Sequence, residues 1–297
     1  MEGTEHLAAV LAVTRTKNRA WSQPDRVQEL LSAGDPDQVL AEISEQGLFG
    51  DPVLDRARRD VETWLSQGIG IVSVLSPDYP VRLREVREAP ALLYYEGALR
   101  TDDQGVCVVG SRDADDEALH VASAVSKVLV DHGLTVIAGL AAGVDTAAHT
   151  SALDAQGRTV AVMGTGLDQT YPRTNTSLRQ RITQAQGLVM TQFEPGSRTG
   201  RASFPMRNAV MSGYGITTFV VAGTEHSGTR SQASSAVKHG RGVILTPQVA
   251  EHTSWGRDLV TSGLASVATS SQDVLDHVHQ LQREHAEAED LLRAIVA

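Results

Sequence analysis

Gly105-Val106-Cys107-Val108-Val109-Gly110-Ser111-Arg112 decides the fold: an unbroken apolar run stops at a glycine, a hydroxyl and a guanidinium. A short run of this kind, bounded by a turn signal, reads as a buried strand whose end opens into a loop. The same punctuation recurs downstream at Gly139-Leu140-Ala141-Ala142-Gly143, at Gly164-Thr165-Gly166 and at Ser227-Gly228-Thr229. Each stretch places backbone amides where a strand hands over to a helix, which is where folds of this kind hold phosphate.

Working outward, strands are expected at 105–109, 134–138, 159–163, 187–191, 217–222 and 242–246. Helices are expected between them, at 115–131, 144–156, 176–185, 205–213 and 229–238. Strand-helix alternation specifies an α/β fold, a Rossmann-like doubly wound parallel sheet. Residues 67–248 are assigned to this domain, which also takes in the apolar runs Gly70–Leu75 and Ala91–Tyr95. Residues 1–66 read as a small helical domain, with Leu7, Val10 and Leu11, then Val27, Leu30 and Leu31, then Val39, Leu40 and Ile43 at helical spacing. Residues 249–297 read as an extension in which only 271–297 has a clear apolar stripe.

The 297 residues carry a net charge of −10. Residues 151–250, however, hold ten Lys or Arg against four Asp or Glu, a local surplus of six that leaves −16 for the rest. An acidic body with a basic patch still attracts a polyanion locally, because salt screens charge beyond about 10 Å. The single cysteine, Cys107, allows no internal disulfide, and no stretch is long and apolar enough to span a bilayer, so a cytoplasmic location is expected.

The loops carry the chemistry. Gly110, Ser111 and Arg112 offer close approach, a hydroxyl and a bidentate phosphate grip. Gly139 and Gly143, four apart before a helix, form a candidate backbone nest. Asp145 and His149 follow one helical turn apart, either as a helix-start carboxylate with an imidazole partner or as ligand contacts. No further His, Cys or carboxylate stands at metal-ligand spacing nearby, so no metal site is expected. Gly164-Thr165-Gly166 opens like a dinucleotide fingerprint, but Gln169 stands where the third glycine belongs. Tyr171-Pro172 beyond it is a candidate stacking or shaping element. In Arg198-Thr199-Gly200-Arg201-Ala202-Ser203-Phe204-Pro205-Met206-Arg207-Asn208, arginines surround one aromatic, the combination that suits a single-stranded nucleic acid. The alternative is a Phe204 that plugs the core. Ser227 and Gly228 are further candidate contacts. Gly-x-Ser-x-Gly, a Walker A loop, His-Glu-x-x-His and paired cysteines are absent, so no enzyme is expected.

With these motifs in this order, the chain resembles the DprA/Smf family of bacterial DNA-processing proteins. The resemblance covers roughly 68–247 and rests on Ser76-Pro77-Asp78-Tyr79-Pro80, Gly110-Ser111-Arg112, the Gly139–Asp145 loop with His149, Gly164–Asp168 with Tyr171-Pro172, and Phe204-Pro205 with Arg207-Asn208. It implies a non-enzymatic, cytoplasmic homodimer with a SAM-like amino-terminal domain and no cofactor, which binds single-stranded DNA and helps load a RecA-type recombinase in transformation or recombination. The apolar helix faces near 205–213 and 229–238 are candidates for the dimer surface. The resemblance further implies that Arg112 holds a phosphate, Arg201 steadies the strand and Phe204 stacks on a base, with Arg207 and Asn208 at the pocket edge. Ala142, Ala222 and Ala209 depart from the family pattern, where basic or acidic residues are usual, and mark a divergent member. The alternative on the same fold is a sensor of a nucleotide-derived small molecule, which the acidic total charge favours. A nucleotide hydrolase of the lysine-decarboxylase-like group fits less well, since its Pro-Gly-Gly-x-Gly-Thr loop is absent.

Overall fold

Strand β3 (Gly105–Val109) lies at the centre of the molecule with all five residues buried. The period of two sends Val106 and Val108 to one face of the sheet and Cys107 and Val109 to the other, each into a separate apolar layer. The computed structural model describes residues 2–17, 20–44 and 52–296, and its strands form one mixed sheet.

The chain begins with helices α1 (Thr4–Arg15), α2 (Gln23–Ala33), α3 (Pro36–Ile43) and α4 (Pro52–Ser66). Ser22 and Asp25 close a capping box at the start of α2, and Gly34 ends it with φ +67°, a conformation glycine adopts without a Cβ clash. Strands β1 (Gly70–Ser73) and β2 (Leu92–Gly97) flank the short helix α5 (Val81–Arg84). After β3 the chain alternates: α6 (Asp116–Asp131), β4 (Thr135–Ala138), α7 (Val144–Asp154), β5 (Thr159–Val162), α8 (Thr176–Gln184), β6 (Leu188–Thr191), α9 (Ser203–Tyr214), β7 (Thr217–Val220), α10 (Gly228–Lys238) and β8 (Gly242–Leu245). Helices α11 (Pro247–His252) and α12 (Ser254–Thr261), strand β9 (Ser266–Val267) and helix α13 (Ser271–Val296) complete it.

The strand order is β1-β2-β6-β5-β4-β3-β7-β8-β9. From β6 to β9 neighbours are parallel, whereas β2 runs antiparallel to β6 and β1 to β2. The alternation read from the sequence thus appears as a doubly wound sheet, widened at one edge by an antiparallel pair. At the other edge β9, too short to carry a pattern, pairs with β8, so the segment after 248 continues the sheet. Helix α13 then packs against α6 through Val274, Leu275 and Val278.

Helices cover both faces. Ala118, Ala122, Val125 and Leu129 of α6, with Val144, Ala148 and Ala152 of α7, lie on the face of Val106 and Val108. Val210, Met211 and Tyr214 of α9 and Ala233 and Ala236 of α10 share the layer of Cys107 and Val109. That layer continues through Tyr94, Trp64 and Val61 into Leu7 and Leu11 of α1. Helix α9, a candidate dimer face by its apolar pattern, buries Arg207 through Tyr214 inside this chain.

Candidate nucleic-acid interface

The order reverses between β3 and β7, which leave the centre of the sheet in opposite directions, and ligands of open α/β sheets bind beyond the strand ends at such a point. A cleft of about 330 Å³ opens there, lined among others by Gly110, Ser111, Arg112, Phe204, Asn208 and Gly228. The last strand residues, the β3–α6 turn and the start of α10 therefore converge, although more than a hundred residues separate them in the chain.

Two glycines let these parts approach. A Cβ on Gly143 would lie 2.3 Å from the carbonyl oxygen of Ser111, and Gly143 has φ +74°. A Cβ on Gly139 would fall 1.1 Å from Nη1 of Arg207. These glycines serve clearance, and the nest expected between them is filled from within: Asp145 Oδ2 accepts from the amides of Gly139 at 2.9 Å and Ala141 at 3.2 Å. Leu140 adopts φ +58°, uncommon for a residue with a side chain. Asn175 holds that turn by donating to the carbonyls of Leu140 and Ala141 and to Thr146 Oγ1. Asn175 escapes a reading of the sequence; its place in Tyr171-Pro172-Arg173-Thr174-Asn175 is the only available sign.

Arg207 forms part of the floor rather than the rim. It is 6% exposed, and its Nη1 stands 3.9 Å from Asp145 Oδ2 and 3.4 Å from the Val162 carbonyl, while its Nε has no hydrogen-bond partner among the described residues. Burial pushes the Asp145 carboxyl above its usual range and the Arg207 guanidinium below its own, so desolvation outweighs their attraction at this separation. Asn208, also buried, donates to the Gly228 carbonyl at 3.2 Å and ties α9 to the start of α10. His149 does not pair with Asp145. It lies fully buried behind the cleft, its Nδ1 2.7 Å from Thr159 Oγ1, and burial drives its pKa down to about 3. Because Thr159 gives its own proton to Val136 O, His149 Nδ1 is the donor in that bond.

The rim is aromatic and cationic. Phe204 is half-buried, its ring against Gly164, where an added Cβ would stand 3.0 Å from Cδ1. The guanidinium of Arg112 lies 4.9 Å from the Phe204 centroid and 6.0 Å from that of Tyr171. The two rings are 6.0 Å apart and inclined by 53°. Gly166, two residues along the same loop, lies beside the Glu194 carbonyl, and Asp168 accepts from the Gly196 amide at 2.9 Å. Ser227 lines the cleft with its hydroxyl engaged locally: its Oγ sits 2.5 Å from Thr229 Oγ1 and accepts from the Thr224 amide.

Exposed arginines without an ion pair among the described residues stand at the cleft and on the loops beside it, and also elsewhere on the surface, at Arg59 and Arg100. Those at the cleft and beside it are Arg112, Arg173, Arg198 and Arg201. Away from the rim, Arg158, Arg179 and Arg181 each hold a carboxylate at 2.7 Å. Arg201 stands on the β6–α9 loop, outside the cleft itself, and extends the basic surface toward Arg198.

Residues 70–279 match the sequence model of a family described as DNA recombination-mediator protein A. The chain belongs to this family. The family's DNA processing protein DprA of Streptococcus pneumoniae is 37% identical over 208 residues, 68% of this chain and 72% of that protein. Protein Smf of a Synechocystis strain is 38% identical over 176 residues, 58% of this chain and 44% of its relative. The match thus spans less than half of the cyanobacterial protein. The X-ray structure of the pneumococcal DprA superposes with a TM-score of 0.71 at 30% identity, covering 93% of this chain and 98% of that one. A Helicobacter pylori DprA, whose structure was described for its single-stranded DNA binding mode, shares the fold at TM-score 0.63 and 22% identity over 73% of this chain and 96% of that one.

Proposed function

We propose that this protein binds single-stranded DNA across the carboxyl ends of β3, β5, β6 and β7 and delivers it to a RecA-type recombinase, acting as a homodimer in the cytoplasm. The observation that carries the reading is the exposed Arg112, without an ion pair among the described residues, over the ring of Phe204 at the cleft, with Arg173, Arg198 and Arg201 exposed on the neighbouring loops. Unpaired guanidinium groups are free to take phosphates, and an aromatic face takes a base whatever its sequence. Family membership supports the recombination role, and the pneumococcal and Helicobacter relatives support the DNA ligand. A free, fully buried Cys107 and the lack, among the described residues, of a helix long and apolar enough to cross a membrane support the location.

On this proposal the protein acts as a binder, not as an enzyme. The groups that could act as nucleophile or base are held in other contacts: Asp145 accepts from two amides, His149 Nδ1 donates to Thr159, and the Cys107 thiol, pushed up to about 12 by burial, donates to the Met211 carbonyl. A sensor of a nucleotide-derived molecule is favoured by the overall charge of −10 and would use the same cleft. The rim arginines extend beyond that cleft, which favours a longer polyanion.

Titration of labelled oligo-dT at two salt concentrations tests the proposal. Affinity should fall with salt, and Arg112→Ala and Arg201→Ala should each weaken binding and flatten the salt slope by about one. Unchanged binding by both variants, or heat with mononucleotides and none with oligonucleotides, would overturn it.

A further inference from the structure

Tyr171 stands apart from the grip described so far. It is 55% exposed and its hydroxyl makes no hydrogen bond among the described residues, so neither burial nor a polar partner accounts for an aromatic here. Its ring nonetheless sits 6.0 Å from Phe204 at the mouth of the cleft, and the guanidinium of Arg112 approaches both rings. Exposed aromatics next to unpaired cations are the elements of a nucleic-acid stacking platform. Arg173, exposed and without an ion pair among the described residues, follows two residues later on the same loop.

We propose that Tyr171 is a second base-stacking platform, which takes the nucleotide next to the one on Phe204; this rests on the single-stranded DNA reading above. The geometry sets how the strand lies. Rings inclined by 53° cannot serve two bases that stay stacked on each other, so the neighbouring bases splay, one to each ring. Arg112 occupies the shared space in the free protein and cannot remain over a ring face that a base covers. On binding it moves from the rings to the phosphate that joins the two nucleotides, and its cation–π contacts give way to a charge-assisted phosphate contact. The platform is built by the β5–α8 loop, which carries Tyr171, and the first turn of α9, which carries Phe204, and is complete only when both are in place.

Oligo-dT binding by Tyr171→Ala, Tyr171→Leu and Tyr171→Phe, each over a salt series, tests this. The Ala and Leu variants should bind roughly fivefold to a hundredfold more weakly, as loss of one base–ring stack requires, with the salt slope of the wild type because no phosphate contact is lost. Tyr171→Phe should bind like the wild type. Wild-type affinity in Tyr171→Leu, which keeps apolar bulk without a flat ring, would overturn the proposal. A loss accompanied by a flatter salt slope would also overturn it, since the ring would then only position Arg112. So would a Tyr171→Ala/Phe204→Ala double variant that binds no more weakly than Phe204→Ala alone. In each of these cases salt-dependent binding by the wild type leaves the DNA reading standing; if the wild type binds no oligonucleotide at low salt, that reading itself fails.

Discussion

Beneath the rim, Asp145 and Arg207 form a buried pair that neither neutralises well nor reaches solvent. Asp145 satisfies two loop amides and faces the guanidinium, so removing its carboxylate would strand both sets of donors. Asp145→Ala should cost about 3–5 kcal/mol in urea denaturation, the range for breaking one half of a buried pair. Gly143→Ala should distort the Ser111 carbonyl and weaken oligonucleotide binding, because its Cβ would meet that oxygen at 2.3 Å. His149 gives a pH signature. Its folded pKa is about 3 against an ordinary value of 6.5, so the unfolded chain takes up a proton that the native state refuses. Its stabilising contribution is complete above 6.5 and is lost as pH falls toward 3. Stability should therefore decline by up to about 1.4 kcal/mol per pH unit below that point, and His149→Gln should flatten the decline in denaturation series at pH 7, 6 and 5.

Among the elements, the amino ends of the central strands are locked as firmly as the carboxyl ends are open. Asp103, just before β3, accepts from Arg158 just before β5, Thr135 of β4 and Tyr214 at the end of α9. Burial alone would raise its carboxyl, but the hydrogen bonds from Arg158 and Thr135 hold it below the usual range. Asp103→Ala should thus destabilise the protein by about 3–5 kcal/mol while leaving oligonucleotide affinity of the folded fraction intact, since the residue lies at the opposite end of the sheet from the cleft. A large affinity loss at matched folded concentration would contradict this. Element positions are largely legible in the sequence: β3 to the residue and the other central strands to within two, because a two-sided buried strand leaves an unbroken apolar run bounded by turn residues. The two-residue β9 is not, since so short a segment carries no period.

In the whole molecule, one apolar layer runs from Leu7 and Leu11 through Trp64 and Tyr94 to Leu245 of β8, with Trp255 at its far side. Arg15 adds a polar tie, pairing with Asp60 of α4 and with Glu194 on the loop that leads to Arg198 and Arg201. The amino-terminal helices and the sheet should therefore unfold together: circular dichroism and tryptophan fluorescence should give one coincident urea transition, whereas two separated transitions would show independent units. By itself the sequence determined the alternation of strands and helices, the glycine-ended loops and the order of motifs that identifies the family, because local spacing and backbone chemistry are written in neighbouring residues. Only the tertiary structure decided which groups face the ligand. It placed Asp145 in the expected phosphate nest, sank Arg207 and His149 below the cleft, and brought Tyr171 to Phe204. The reason is physical: hydrogen-bond satisfaction and desolvation depend on which atoms meet across the sheet, and residues far apart in the chain meet only once it folds.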